Sequence, residues 1–495
     1  MNGRVETIPC VNPGTGEVFA EIPVATQEQI ERAHREMKAA AAIWGRKPVE
    51  ERIRILRKLQ KMIIDSTDTI TEVINKDTGK SRQDALIEIF MLVDRMHQYF
   101  RRAPKWLAPR RVPPGLYVFR RFYTKPQPFG VVAVICPWNY PFELSMSPMY
   151  SALLAGNTVL LKPSEATGAL GQLIEQLIQS VPELSPFVRV LHGDGRVGAA
   201  LVESEPDLVF LTGSVETGKR VAQAASRSLT PYLFELGGKD PMIVLEDADV
   251  PAAARWGTWS AFYNSGQTCV SIERCYVHEA VYDEFVREAV EQVKQLRVGY
   301  SPDIDNDFDL APMTFTRQIE IIRDHLDDAV AKGARILIGG GIEGMIVKPT
   351  IVVNVDHTMK LMREETFGPI LAIMKVRDEQ EALRLANDSS FGLGASIWSA
   401  DLRRAELLGE KLAVGSVNIN DATAHYAVSL LPYGGMKESG AARTHGKEEV
   451  LQFTQLQSFA VSGPPLPFDL ATIMRQPNHY RLAKGIMRLA FGETP

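Results

Sequence analysis

The feature that most limits the fold of this chain is a rhythm that begins at Gly130. Val131 to Ile135, Thr158 to Leu161, Val188 to Leu191 and Leu208 to Leu211 are short, mostly apolar runs, separated by stretches with helical spacing. A strand that faces solvent on one side alternates polar with apolar residues. A strand without that alternation must be covered on both faces, as in a parallel sheet flanked by helices. A second series opens at Met242-Ile243-Val244-Leu245 and continues to about residue 420. The chain is therefore expected to be α/β. Single cores rarely exceed roughly 250–300 residues, so a chain of 495 residues should form two or more domains. No internal repeat or low-complexity linker divides it, and the domains are expected to interleave.

Before Gly130 the signals are mainly helical. Thr26-Gln27-Glu28-Gln29 has the spacing of a capping box. Pro48 stands where a first helical residue belongs, ahead of Ile53, Leu56, Leu59 and Ile63 at helical spacing. Residues 84–107 read as another helix, closed by the basic, proline-rich stretch Pro104 to Pro114. The aromatic and β-branched segment from Leu116 to Tyr123 reads as a strand.

Charge and cysteine content exclude several function classes. The 60 acidic residues slightly outnumber the 55 basic ones, so the net charge of −5 offers no electrostatic basis for a nucleic-acid partner. The four cysteines (10, 136, 269 and 275) form no CxxC pair, and the nine histidines form no HxxxH or HExxH cluster. A reducing compartment and no metal are expected. Met1 to Glu6 lacks an apolar signal segment, and no apolar run reaches the length of a membrane span. The expected location is cytoplasmic.

Two segments carry candidate chemistry. Asn264-Ser265-Gly266-Gln267-Thr268-Cys269 surrounds a cysteine with glycine and small polar residues, as suits an accessible loop rather than an apolar core. Phe234-Glu235-Leu236-Gly237-Gly238-Lys239 sets a lone carboxylate before two glycines that permit close backbone approach. Taken singly, the first is compatible with an inert buried thiol and the second with a surface charge at a strand end.

Taken together, these segments resemble the aldehyde dehydrogenase superfamily. Pro137-Trp138-Asn139-Tyr140-Pro141 is similar to its PWNFP motif, and Leu161-Lys162-Pro163-Ser164-Glu165 to its KPSE segment. Thr212-Gly213-Ser214 with Gly218 resembles the TGSxxxG turn, with Leu211 standing where the family often has phenylalanine. Glu365-Thr366-Phe367-Gly368-Pro369 is similar to EEIFGP, and Leu431-Pro432-Tyr433-Gly434-Gly435 with Ser439-Gly440 to the late LPFGG and SG signature. The motifs follow in family order from about residue 8 to 460.

The resemblance implies a fold and a set of roles. Residues 1–107 and 129–237 would form a doubly wound NAD-binding domain and 238–437 an α/β catalytic domain. Residues 108–128 and 438–462 would form a β-arm onto a neighbouring subunit of a homodimer or homotetramer, leaving 463–495 as a C-terminal extension. Cys269 would be the nucleophile that forms a thioester, a role suited to thiolate. Asn139 and the Cys269 amide would stabilise the oxyanion, and Glu235 would activate the hydrolytic water. Members that pass the acyl group to coenzyme A typically lack that glutamate. Gly213, Ser214 and Gly218 would seat the pyrophosphate at a helix start. Lys162, Ser164 and Glu165 would hold the adenosine ribose, Glu365 the nicotinamide ribose, and Phe367 would pack beside it. The Glu165 carboxylate would repel a 2′-phosphate, so NAD is expected over NADP, with NADP as the alternative.

Trp138, Tyr140 and Tyr263 fall at positions that line the aldehyde tunnel in relatives. They suggest an apolar substrate: long-chain, aromatic or isoprenoid-derived. Succinate semialdehyde is the runner-up, and a cofactor-independent esterase or a non-catalytic relative are the readings from other classes. Cys136 reads as structural, and Cys10 and Cys275 receive no role. In the tail, residues 478–491 place Arg481, Lys484 and Arg488 apart from Leu482, Ile486 and Leu489. Such a basic amphipathic helix fits peripheral contact with a membrane, packing on protein, or gating of the substrate mouth.

Overall fold

The four apolar runs after Gly130 are parallel strands of one sheet, joined by a fifth strand that ends at the candidate carboxylate. Its order across the sheet is Val188–Val190, Thr158–Lys162, Val131–Ile135, Leu208–Gly213 and Tyr232–Leu236. This computed structural model describes residues 6–115, 117, 120–305, 308–463 and 478–492. Two compact units are present, Met1–Leu107 with Pro128–Gln455, and Ala108–Gln127 with Leu456–Pro495.

Alternation along each strand explains the unbroken apolar runs. Val132, Val134, Val159, Leu161 and Phe210 pack on one side, under the helices Val49–Asp65, Arg82–Trp106 and Glu143–Ala155. Val131, Ala133, Leu160, Val209 and Leu211 pack on the other, under Gln27–Arg46, Gly195–Glu203 and Val215–Ala225. Burying each Val, Leu or Ile fully contributes about 1.5–3 kcal/mol, so neither helical layer is dispensable.

A seven-stranded sheet follows, in the order Arg335–Ile338, Thr350–Val353, Ile370–Val376, Ile272–His278, Asp240–Val244, Gly394–Trp398 and Ser416–Ile419. Only Arg335–Ile338 runs antiparallel to its neighbour. Cys275 lies in its core beside Met242 and Val244. Cys136 is equally buried, and desolvation pushes its thiol, like that of Cys10, up to about 12. All three side chains are buried.

The expected helix starts are present with small shifts. Thr26 and Gln29 form the reciprocal capping box. Pro48 is the residue before the helix Val49–Asp65 rather than its first member; Ile53, Leu56, Leu59 and Ile63 are all buried. The helix read as 84–107 runs Arg82–Trp106, started by Ser81, whose hydroxyl accepts from the Asp84 amide. It carries Pro104 in its last turn rather than ending there. At that position the missing N–H forfeits one ladder bond but does not stop the turn from closing through Leu107 N–H to the Ala103 carbonyl.

In the second unit a sheet has the order Thr454–Ser462, Arg120–Pro128, Arg110–Val112. The strand expected over 116–123 begins at Arg120 and continues to Pro128, while Leu116, Val118 and Phe119 lie outside the described residues. Tyr123 stacks on Phe459 at 4.6 Å across the central pair. The helix His479–Phe491 contains Arg481, Lys484 and Arg488 and exposes Leu482, Ile486 and Leu489. Among the described residues, no helix is long and apolar enough to cross a membrane.

Candidate active site

Doubly wound sheets bind ligands beyond the carboxyl ends of their strands, where neighbouring connections diverge. Here the central strand Val131–Ile135 leads into Pro137, Trp138 and Asn139; Thr158–Lys162 ends at Lys162, Leu208–Gly213 at Gly213, and Tyr232–Leu236 at Glu235 and Leu236. Parallel pairing therefore delivers these residues to one edge.

Asn139 is held from three sides. Its side-chain amide donates to the Gln267 carbonyl at 3.0 Å. Its own carbonyl accepts from the Lys80 ammonium at 2.8 Å and from the Asn264 side-chain amide at 3.1 Å. Lys80 is buried, pairs with Glu88 and lies 4.1 Å over the Tyr140 ring. Glu88 also accepts from the amides of Phe142 and Glu143, fixing the start of the next helix. Removing one member of a buried pair strands the other, which costs about 3–5 kcal/mol. Lys80→Met should lower stability by about that amount, read as a lower thermal unfolding midpoint; a variant as stable as wild type would show that Glu88 finds other support.

The cysteine loop depends on left-handed backbone. Asn264, Ser265 and Gly266 have φ of 52°, 56° and 72° in succession. A Cβ on Gly266 would lie 2.2 Å from the Gly368 carbonyl oxygen, so only glycine lets the Cys269 loop meet the Glu365-Phe367 loop. Gly238 does the same on the other side, where a Cβ would lie 2.3 Å from the Cys269 carbonyl oxygen.

One cavity of about 290 Å³ results, walled by Trp138, Asn139, Gly213, Ser214, Glu235, Cys269, Glu365 and Phe367 from the expected set. Thr212, Leu144, Gln318 and Ile321 are among the other residues that line it. Burial pushes the Glu235 carboxyl up to about 7, aided by the nearby Glu143 carboxylate and opposed by hydrogen bonds from Tyr433 and Thr212. The Cys269 thiol is raised well above its ordinary value, first by burial and then by the Glu235 charge, while the Tyr433 hydroxyl 3.4 Å from Sγ lowers it. Glu365 accepts from the Gly238 amide at 2.9 Å, and burial followed by the Glu273 carboxylate pushes it up to about 8. Glu273 also accepts from the Thr366 and Phe367 amides and pairs with Lys239, so the Glu365-Phe367 loop is pinned.

The other expected residues lie outside this cavity. Lys162 is buried, with its ammonium 3.2 Å from the Pro163 carbonyl and 3.3 Å from the partly exposed Glu165 carboxylate. Ser164 caps the turn Glu165–Thr167. Gly218 packs on Leu236, where a Cβ would meet Cδ1 at 2.9 Å. Tyr140 bonds the Thr268 hydroxyl at 2.8 Å. Tyr263 stacks on Trp259 at 4.8 Å and lines a separate cavity of about 380 Å³ with Arg255 and Phe262.

A dinucleotide fits the strand ends. The Lys162-Ser164-Glu165 corner and the Gly213-Ser214 turn flank the central strand on opposite sides. The turn feeds the 11-residue helix Val215–Ala225, capped by Ser214. Its uncapped first-turn amides suit a phosphate, and Gly213 opens into the same cavity as Glu365 and Cys269. Among the described residues no group of three or more His, Cys, Asp or Glu could hold a metal.

Behind Glu235 lies a buried charge cluster that no sequence motif announced. Arg95 pairs with Glu143 at 2.7 Å, and the Tyr426 hydroxyl donates to Glu143 at 2.6 Å. Glu449 accepts from Tyr99, Ser147 and Ser151 at 2.6, 2.8 and 2.8 Å. Burial works against the Arg95 charge, but Glu143 and Glu449 outweigh it and keep its pKa above the ordinary value.

A model described as the aldehyde dehydrogenase family matches residues 1–459. The chain is 42% identical over 490 residues to a 4,4'-diapolycopene aldehyde oxidase of Methylomonas sp, covering 98% of this chain and 92% of that one. It is 37% identical over 463 residues to a putative NADP(+) succinate-semialdehyde dehydrogenase of Mycolicibacterium smegmatis, covering 91% and 89%. Two solved structures share the fold at a TM-score of 0.88. One is a betaine aldehyde dehydrogenase of Staphylococcus aureus in complex with NAD+, 28% identical, covering 94% of this chain and 93% of that one. The other is an NADP-dependent glyceraldehyde-3-phosphate dehydrogenase of Bacillus halodurans complexed with NADP, 32% identical, covering 93% and 96%.

Proposed function

The chain belongs to the aldehyde dehydrogenase family, and on that premise we propose that it oxidises an apolar aldehyde to the acid through a thioester on Cys269. The observation that carries this reading is the meeting of a cysteine, a carboxylate of raised pKa and a rigid asparagine in one cavity. Cys269, as thiolate, adds to the aldehyde carbonyl. The Asn139 side-chain amide and the Cys269 N–H stabilise the oxyanion. A nicotinamide dinucleotide, held with Glu365 and Phe367 at its nicotinamide end, would supply the hydride acceptor that this oxidation requires. Glu235, pushed up to about 7, gains its base form as pH rises through neutrality and takes a proton from the water that hydrolyses the thioester.

Lys162, Ser164 and Glu165 would hold the adenosine ribose, with Gly213, Ser214 and Gly218 at the pyrophosphate and Glu365 and Phe367 at the nicotinamide end. The Glu165 carboxylate favours NAD over NADP by repelling a 2′-phosphate.

Long-chain, aromatic and isoprenoid-derived aldehydes suit the apolar walls of Trp138, Leu144, Ile321 and Phe367, and the name of the 42% identical relative supports an isoprenoid member of that class. The name of the 37% identical relative favours succinate semialdehyde instead. Its carboxylate would need a cation, and among the described residues the cavity wall has no lysine or arginine. The test is reduced-cofactor formation across a panel from acetaldehyde through long-chain, aromatic and isoprenoid aldehydes to succinate semialdehyde, with NAD and then NADP. The expected result is the highest kcat/KM for a long apolar aldehyde with NAD. Preference for succinate semialdehyde would overturn the substrate reading, and preference for NADP the role given to Glu165.

A further inference from the structure

We propose that the helix His479–Phe491 docks this chain on an anionic lipid surface, lying in the interface rather than crossing it. The helix has two faces. Arg481, Lys484 and Arg488 recur at three and four residues, so at about 100° per residue they form one narrow basic stripe. Tyr480, Leu482, Ile486, Met487, Leu489 and Phe491 fill most of the remaining circumference. All six are exposed, Leu489 at 93% and Phe491 at 75%. So much apolar surface gathered on one short helix calls for a cover.

Charge identifies that cover. The second unit, Ala108–Gln127 with Leu456–Pro495, holds nine Lys and Arg against two acidic residues, Asp469 and Glu493. Its net charge is +7 in a chain whose total is −5, which leaves −12 for the first unit. No acidic residue lies between Asn478 and Gly492. Among the described residues no carboxylate pairs with Arg481, Lys484 or Arg488. Arg111 and Arg121, on the strands of the same unit, are exposed as well. Positive charge is thus concentrated where the apolar arc is.

A polyanion such as nucleic acid would engage the cations and leave the apolar arc in water. An anionic bilayer engages both, with headgroups on the stripe and acyl chains on the arc. A helix of 13 residues is about 20 Å long. The hydrocarbon core is roughly 30 Å thick, so this helix can lie along a membrane but cannot span it. Docking there would bring the enzyme to the phase in which an apolar aldehyde dissolves, a consequence that rests on the substrate reading above.

The experiment is co-sedimentation of the full chain with vesicles of equal parts phosphatidylglycerol and phosphatidylcholine, and with phosphatidylcholine alone, at about 0.1 M and about 1 M salt. Wild type should pellet with the anionic vesicles at low salt, stay in solution with the neutral ones and be released by high salt. Combining Arg481→Gln, Lys484→Gln and Arg488→Gln should weaken anionic binding about 10²-fold. Combining Leu482→Ser, Ile486→Ser and Leu489→Ser keeps every charge and should weaken it about tenfold or more. Both variants should keep the wild-type unfolding midpoint, because the side chains they change are exposed. Wild type left in solution with anionic vesicles, or either variant binding as tightly as wild type, would overturn the proposal. A lowered midpoint would seat the helix on its own chain, and a lower mass by sedimentation velocity without lipid would seat it on a second copy; either result overturns the proposal too. A chain that pellets with vesicles yet oxidises no apolar aldehyde would overturn the substrate reading alone.

Discussion

Cys269→Ala should lower aldehyde oxidation by about 10⁴-fold or more, since removing a covalent nucleophile takes away a whole pathway and not one contact. The measurement is reduced-cofactor formation with the best aldehyde of the panel, beside hydrolysis of an activated ester without cofactor. Both should fall together, because both would pass through the same acyl-sulfur bond. The side chain is small and its recorded partner is one hydroxyl at 3.4 Å, so the fold should survive and the unfolding midpoint should stay near that of wild type. Residual activity within about tenfold of wild type would place the nucleophile elsewhere. Cys10, Cys136 and Cys275, all buried with raised pKa, offer no substitute.

Glu235→Gln separates the two halves of the reaction. Steady-state turnover should fall about 10²–10⁴-fold, the range of a lost general base, while rapid mixing should still show a burst of reduced cofactor close to one equivalent per active site. The burst amplitude is the diagnostic quantity, since acylation can go to completion even when its rate drops. Unchanged steady-state turnover would remove Glu235 from hydrolysis. The glutamine also discards a carboxyl that burial holds near pH 7, so the rise of wild-type turnover through neutrality should disappear in the variant.

Strands and site differed in how much of them could be read from the sequence, and for physical reasons. Val131 to Ile135 and its partners were legible because burial on both faces leaves an unbroken apolar run. Glu235 and Cys269 were legible because each sits in a short segment whose glycines are needed for close backbone approach, and Asn139 because its Pro-Trp-Asn-Tyr-Pro segment resembles a family motif. Lys80 was not, since it meets Asn139 from 59 residues away and lies in no periodic pattern. Tyr433 was visible as part of a motif, but its place 3.4 Å from a sulfur 164 residues earlier is a property of the tertiary fold alone. Arg95, Glu143 and Glu449 look in sequence like ordinary helix charges, and only packing brings them together as a buried cluster. The aromatics at 138, 140 and 263 are alike in composition, yet packing gives them different surroundings: Trp138 against Phe367, Tyr140 over Lys80, Tyr263 against Trp259.

The bond between Tyr99 and Glu449 spans 350 positions, and Asn157 donates to the Phe453 carbonyl across 296. Closing contacts so remote in sequence is slow, because loop entropy must be lost before they repay it. During synthesis, Cys269 and Glu235 would leave the ribosome well before the segment from Tyr433 to Phe453 that seals the buried cluster behind them. A nascent chain therefore carries its thiol without the surroundings that tune it. A chain stopped short of residue 433 would yield no weakened enzyme, only a scaffold whose buried charges lack their last partners.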